Sequence, residues 1–285
     1  MSRIKWDERK IEERQKAGFG QGSLGSYRPW IEISDVSSTG RSRRIWSNKT
    51  QRFHHLLSDV ERDIFVASEW SRSVLDIREQ YPLDRELTQT IAHDLKIRHP
   101  HYPGTHVPTV MTVDFLLTVI GPEGEQYVAI NAKRDEEAED ETSLNKLEIQ
   151  RSYFEAIGCE HHLMYHSRLP KQKINNIYWI RDAQLKPGEI EPYTGFYESL
   201  KQRMGTELAN NPNLDFTTLA NYTTSFDERY NVEPGTGLRV VRMLMQERAL
   251  AVDLEAKDLL QEPLSQFVMT SRAGRLRAVG GSHAV

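Results

Sequence analysis

A single cysteine, Cys159, among 285 residues leaves no partner for an internal disulfide and no basis for a cysteine-built zinc site. Long apolar runs are missing too. No stretch approaches the roughly 20 residues needed to cross a bilayer, and the opening Met1–Lys16 alternates charges where a signal peptide would place an apolar core. No internal repeat appears, which argues against a solenoid. Neither sign of charge dominates: 37 Lys/Arg stand against 41 Asp/Glu, a net charge of −4. Together these absences predict a cytoplasmic protein with no membrane partner. What is present is globular in kind, with 38% hydrophobic and 27% charged residues, too mixed for global disorder.

The charge is unevenly spread. Residues 1–50 carry eleven Lys/Arg against six Asp/Glu, so the mildly acidic remainder follows a basic leader. Phosphate contacts depend on local clusters, so nucleic acid stays open as a partner. Three regions are expected: a basic, partly ordered leader over 1–50, a compact α/β unit over 51–168, and a mainly helical region over 169–285 ending in a mobile tail. The boundary falls at the Arg-Leu-Pro-Lys segment 168–171. In the middle region Ser58-Asp59-Val60-Glu61 has the pattern of a capping box opening a helix to about Trp70. A strand is expected over Val74–Tyr81, a helix over 85–98 and a proline-rich loop over 99–109. Strands over Thr112–Ile120 and Gln126–Lys133, a helix over Ser143–Ile157 and a last strand over His161–His166 complete a mixed sheet with helices on its faces.

The hairpin carries the chemistry. Alternation puts Thr112, Asp114, Leu116 and Thr118 on one face of its first strand, and Tyr127, Ala129, Asn131 and Lys133 on one face of the second. If the turn sets Ile120 opposite Glu125, Asp114 lies across from Asn131, and Lys133 is diagonal to Asp114. Opposed residues share a face with Cβ atoms about 5 Å apart, and a slip of one residue would scatter them. Spacing alone favours the plainer reading, an Asp–Lys ion pair across a sheet edge. The alternative is a site for a hard cation, with oxygens from Asp114, the Asn131 side chain and the Ala132 carbonyl, and Lys133 beside the reacting phosphate.

Asp114 and Asn131-Ala132-Lys133, preceded by a helix bearing Glu61, resemble the PD-(D/E)xK nuclease core with an amide in place of the second acid. Across residues 18–155 the likeness narrows. Gly20-Gln21-Gly22, Tyr27-x-Pro29-Trp30, Ser38-x-Gly40-Arg41-Ser42 and His54-His55-Leu56-Leu57-Ser58-Asp59 resemble the TnsA endonucleases of heteromeric bacterial transposons. So do the run Val74 to Leu83, Met111-Thr112-x-Asp114-Phe115-Leu116 and Lys146-Leu147-Glu148. The resemblance implies a restriction-endonuclease-like mixed sheet flanked by helices, with a mainly helical, winged-helix-like C-terminal domain. It implies a bacterial cytoplasmic enzyme that cuts the 5′ strands at transposon ends in cut-and-paste transposition, using Mg²⁺ (or Mn²⁺ in its place). The implied partners are DNA, a TnsB transposase that cuts and joins the 3′ ends, and a TnsC AAA+ regulator engaged by the C-terminal part.

By the same resemblance Glu61 and Asp114 are metal carboxylates, Lys133 is the catalytic lysine, and Glu148 is an accessory acid near the site. Asn131 stands where the family typically has glutamine, one methylene longer. Two rival readings accompany this one: a stand-alone restriction or repair nuclease of the same fold, and an adaptor between transposase and regulator whose catalysis is weakened by Asn131. Glu61 is also the N3 residue of the Ser58 capping box, a second claim on the same carboxylate.

Other signals are weaker. Arg41, Arg43 and Arg44, with Lys49, form the best candidate for phosphate contact. His99-x-His101 with His106 could form a zinc cluster, although a loop is the plainer reading, and His54-His55 could flank the site. The acidic run 135–141 could screen the groove from DNA. Thr218–Tyr230 and Gly237–Ala249 read as helices followed by a strand at Leu250, Val252 and Leu254. Arg272, Arg275 and Arg277 lie in a tail, 271–285, without acids.

Overall fold

The computed structural model describes residues 5–36, 41–134, 141–210 and 214–270. The acidic stretch 135–140, residues Ser38 and Gly40, and the tail 271–285 lie outside the described residues. The chain divides into two compact units, 1–169 and 170–285.

In the first unit the helices are α1 (Glu8–Lys16), α2 (Asp59–Trp70), α3 (Arg85–Asp94) and α4 (Glu141–Ala156). The strands are β1 (Arg43–Ser47), β2 (Arg52–Leu56), β3 (Val74–Pro82), β4 (Thr112–Gly121), β5 (Gly124–Lys133) and β6 (Glu160–Tyr165). The main sheet runs β3-β4-β5-β6, antiparallel across its first three strands, with β6 parallel to β5. This is the mixed sheet with flanking helices that the strand pattern predicts. The β4–β5 register also agrees: Ile120 pairs with Glu125 and Phe115 with Ile130. Both sheet faces are covered, since Phe115 and Leu117 are buried on one side and Leu116 and Ala129 on the other. One core joins Leu116 and Ala129 to Ile149, Tyr153 and Phe154 of α4 and Ala92 of α3. The α3 helix stops earlier than the expected residue 98, because Lys96 turns into the left-handed region (φ 58°).

The basic leader contains structure that its composition conceals. It holds α1 and all of β1, the first arm of a hairpin completed by β2, and it belongs to the same compact unit as the sheet. Trp6, Ile11, Phe19 and Trp30 form a second core with Tyr102 of the proline-rich loop and Val110 just after it, and the Trp6 and Tyr102 rings stack 4.5 Å apart. The Arg14 guanidinium lies 3.7 Å from the Phe19 ring centre and bonds Asp35 and the Trp30 carbonyl, both at 2.7 Å. At Gly20 (φ 74°) a Cβ would meet the Pro82 ring at 2.2 Å, so only glycine fits this approach to β3. The leader is tied down further by the Trp30 N–H, which donates to the Gln80 carbonyl (3.1 Å). Buried Arg52 and His54 of β2 clamp the Glu79 carboxylate of β3 at 2.5 and 2.8 Å. Burial alone would raise the Glu79 carboxyl, but the His54 ring and the Arg52 guanidinium beside it hold it well below the usual carboxylate range.

The second unit is helical, as expected: α5 (Lys171–Arg181), α6 (Phe196–Asn210), α7 (Leu219–Tyr230) and α8 (Thr236–Gln246). Val240, Val241, Leu244 and Met245 form its buried stripe on α8. The strand expected over Leu250–Leu254 is only β7 (Leu250–Ala251), paired with β8 (Val268–Met269). No described helix is long and apolar enough to cross a membrane.

Candidate active site

A cleft of ≈ 670 Å³ opens over the ends of β4 and β5, lined by Glu61, Asp114, Asn131, Ala132, Lys133, Lys146 and Gln150 among others. Sheet register brings the hairpin residues together, and α2 delivers Glu61 from a different part of the chain. Asp114 and Lys133 face the same cleft, and the lysine's charge acts directly on the carboxyl of Asp114. The arrangement read from alternation is therefore present.

Two donors hold the Asp114 carboxylate. The Ala132 N–H bonds its Oδ2 (2.7 Å) and the Gln80 amide its Oδ1 (3.3 Å), while the Asn131 side chain favours its charged form. Gln80 sits opposite Asp114 because its neighbours pair Glu79 with Phe115 and Tyr81 with Val113. Its φ of 47° lies in the left-handed region, at a cost of about 1–2 kcal/mol for a non-glycine residue. The bonds to Asp114 and Thr112 and the bond from Trp30 fix that conformation beside the site.

Glu61 fills its capping role. The Ser58 hydroxyl accepts from the Glu61 N–H (3.1 Å) and donates to Glu61 Oε1 (3.1 Å), while the Leu57 N–H donates to Oε2 (2.9 Å). Each carboxylate oxygen has taken one hydrogen bond and keeps a lone pair for another partner. Burial, and next the charge of Asp114, push the Glu61 carboxyl up to about 8. Asp114 is raised as well, by burial, against the donors and Lys133 that favour its charge. Two acids are thus crowded into one poorly solvated place, which bare carboxylates resist.

The other sequence candidates are placed less centrally. Glu148 does not line the cleft; its carboxylate pairs with Arg151 (2.7 Å), which holds it below the usual range. Helical spacing explains this, since Ser143, Lys146, Leu147 and Gln150 mark the stripe of α4 that faces the cleft. Glu148→Ala is expected to leave cleavage unchanged and stability within about 0.5 kcal/mol; a clear loss of cleavage would return Glu148 to the site. Lys49 turns inward, and its ammonium donates to the carbonyls of Ser68 (3.4 Å) and Ser71 (2.5 Å) at the end of α2 and of Val74 (2.6 Å) at the start of β3. Its donors are committed there, so it is separated from the phosphate cluster. Arg41 and Arg44 are exposed, and Arg43 bonds Asp59 (3.1 Å).

His54 is buried against Glu79 and the Thr50 hydroxyl (2.7 Å), away from the cleft, whereas His101 lines it. His99 is spent on Thr88 and the Pro100 carbonyl, and among the described residues no three His, Cys, Asp or Glu side chains form a metal group. Sequence reasoning missed Gln80, Gln150 and His161. Gln150 bonds the Thr112 carbonyl (2.7 Å), and His161 Nε2 lies 2.7 Å from Asn131 Oδ1. Pairing β3 with β4, and β6 with β5, would have pointed to Gln80 and His161.

Comparison with known proteins decides the family. Residues 71–166 match the model of the TnsA-like endonuclease N terminal region, and 169–254 match that of the TnsA endonuclease C terminal region. The chain is also 35% identical over 241 residues to the transposon Tn7 transposition protein TnsA of Escherichia coli, covering 84% of each chain. The chain belongs to the TnsA endonuclease family. That membership makes it a transposon endonuclease that works on DNA with transposition machinery. Asp114, Asn131 and Lys133 fall inside the span matched to the family's N-terminal model, whereas Glu61 precedes it.

Proposed function

We propose that this TnsA-family chain is a Mg²⁺-dependent endonuclease that cuts the 5′ strands at transposon ends, alongside a TnsB-type transposase and a TnsC-type AAA+ regulator. The observation that carries the metal reading is the pair Glu61 and Asp114, both driven toward the neutral form in a cleft that also holds Lys133. A divalent cation relieves that frustration, because it satisfies both carboxylates where a proton otherwise would. The donor set fits: Glu61, Asp114 and the Ala132 carbonyl are hard oxygen donors that would hold Mg²⁺. Mn²⁺ accepts the same donors. When bound, the ion supplies Lewis-acid polarisation of the phosphate and a more acidic water.

The protein's own groups do the rest. Lys133 faces the scissile phosphate as a positive charge that offsets the negative charge building in the transition state and orients the attacking water. Gln80, the Ala132 N–H and Asn131 keep Asp114 in one rotamer, so no reorganisation is needed during reaction. Arg41 and Arg44 contact the DNA backbone, with Arg43 sharing its fork with Asp59. Replacing both Arg41 and Arg44 by alanine should reduce the salt dependence of DNA binding by nearly two units of log–log slope, at about 0.9 per phosphate contact. An unchanged slope would contradict that role.

The test of the function is strand mapping. With a TnsB-type transposase, a TnsC-type regulator, Mg²⁺ and element-end DNA, breaks are expected at the 5′ ends, and omission of the transposase should leave the protein nearly silent. Efficient cutting by the chain alone would favour a stand-alone nuclease. Complex assembly without any 5′ break would favour an adaptor.

A further inference from the structure

The Asn131 amide lies between two polar groups. On one side its Oδ1 is 2.7 Å from Nε2 of His161; on the other it faces Asp114, which the β4–β5 register sets across from it and whose charge it favours. An amide in that position has one workable orientation. In its ionised form the Asp114 carboxylate accepts and does not donate, and it already accepts from the Ala132 N–H and the Gln80 amide, so it requires the NH₂ end. The oxygen is then left facing His161, which must carry its proton on Nε2. The opposite assignment would set the amide oxygen against the Asp114 carboxylate. His161 reaches this place through the parallel β5–β6 register, in which it pairs with Ala129 and shares a face with Asn131. Its ring is held in turn by the Phe154 ring of α4, with centroids 4.9 Å apart. Asn131 is buried, so little else competes for its polar atoms.

We infer that His161 is a positioning residue for the nuclease site. It locks the Asn131 amide, and Asn131 serves as a hydrogen-bond donor to Asp114 with its oxygen turned away from the cation. The inference rests on the metal-nuclease reading above for its functional meaning, but its structural content is independent of any ion. It gives the shortened amide side chain a distinct task. Asn131 sits between β6 and β4 and orients the central carboxylate from behind. The ligand set then reduces to Glu61, Asp114 and main-chain oxygen. Groups that orient a ligand in this way commonly affect metal affinity by about tenfold or more.

The test uses the full chain with His161→Phe, which keeps a ring against Phe154 but has no N–H, and His161→Gln, whose amide can still donate. The first readout is NMR of the ¹⁵N-labelled chain without divalent ions. The Asn131 side-chain NH₂ is expected to be protected from solvent exchange in wild type and His161→Gln, and to lose that protection in His161→Phe. The second is Mn²⁺ titration, where His161→Phe should weaken binding about tenfold and His161→Gln should restore most of it. An Asn131 amide that does not respond to His161→Phe would overturn the inference. So would Mn²⁺ affinity in His161→Phe equal to that of a wild-type chain that binds the ion. If wild type binds no Mn²⁺ while the amide still responds, the metal reading fails and the positioning role stands. Thermal melting of each variant separates these outcomes from misfolding.

Discussion

Asp114→Asn is expected to lower 5′-strand cleavage by about a thousandfold or more while leaving the melting temperature of the metal-free chain at or above that of wild type. The loss follows from removing the carboxylate at the centre of the cleft, the group on which Ala132, Gln80, Asn131 and Lys133 all act. The stability follows from the same place. Asn keeps an oxygen for the Ala132 N–H, and the bond from Gln80 that its NH₂ cannot accept is offset by removing one of two carboxyl groups crowded into a poorly solvated site. Cleavage rate and melting temperature, measured on one preparation, check both halves. Retained cleavage would reject the role of Asp114. Lost cleavage with a fall of several degrees would assign the effect to the fold.

The second large effect concerns pH. Glu61 in the folded chain is pushed up to about 8 by burial and by Asp114, whereas in the unfolded chain it returns to its ordinary 4.5. Between these values the native state holds a proton that the unfolded state releases, so stability falls as pH rises through that window. The benefit of the bound proton is complete below about pH 4.5 and is gone above about pH 8. At ~1.4 kcal/mol per unit, the span is on the order of 3–5 kcal/mol. Metal-free wild type should therefore melt at a lower temperature at pH 8.5 than at pH 6, and by more than Glu61→Gln does. Added Mg²⁺ should restore the loss, because binding to the native state alone stabilises it. The neutral amide can accept the Leu57 N–H as the acid does, so Glu61→Gln should keep its fold while losing cleavage. Parallel pH profiles for wild type and Glu61→Gln would contradict this account, as would retained nicking by the variant.

How far the sequence could be read depended on how local each interaction is. The Asp114–Asn131–Lys133 grouping was legible because a tight turn fixes the register of a hairpin within twenty residues. Glu61 was legible as a cap from Ser58 alone, and as a site residue only through family resemblance. Gln80 and His161 were not legible as site residues. Each acts across a strand pairing that no turn specifies: β3 meets β4 after more than thirty residues, and β6 joins β5 only after α4.

Lys49 misled because composition groups it with the arginines, while folding sets its ammonium on carbonyls 19 to 25 residues away. Glu148 shows the reverse limit. Its sequence neighbours Lys146 and Leu147 do line the cleft, but rotation about the helix turns its own carboxylate toward Arg151. The α1 helix was hidden for a different reason. Its contact with the core rests on Ile11 and on Arg14, whose guanidinium is buried on Asp35 and the Trp30 carbonyl, a pairing that composition does not separate from solvated charge.

The central claim is that Glu61 and Asp114 hold one divalent ion beside Lys133, and the most direct measurement is crystallographic. Crystals of the full chain soaked in Mn²⁺ and measured for anomalous scattering should show a peak in the cleft bound by both carboxylates, and Asp114→Asn crystals treated alike should lack it. A well-ordered cleft with no peak, or a peak bound away from Asp114 and Glu61, would contradict the account.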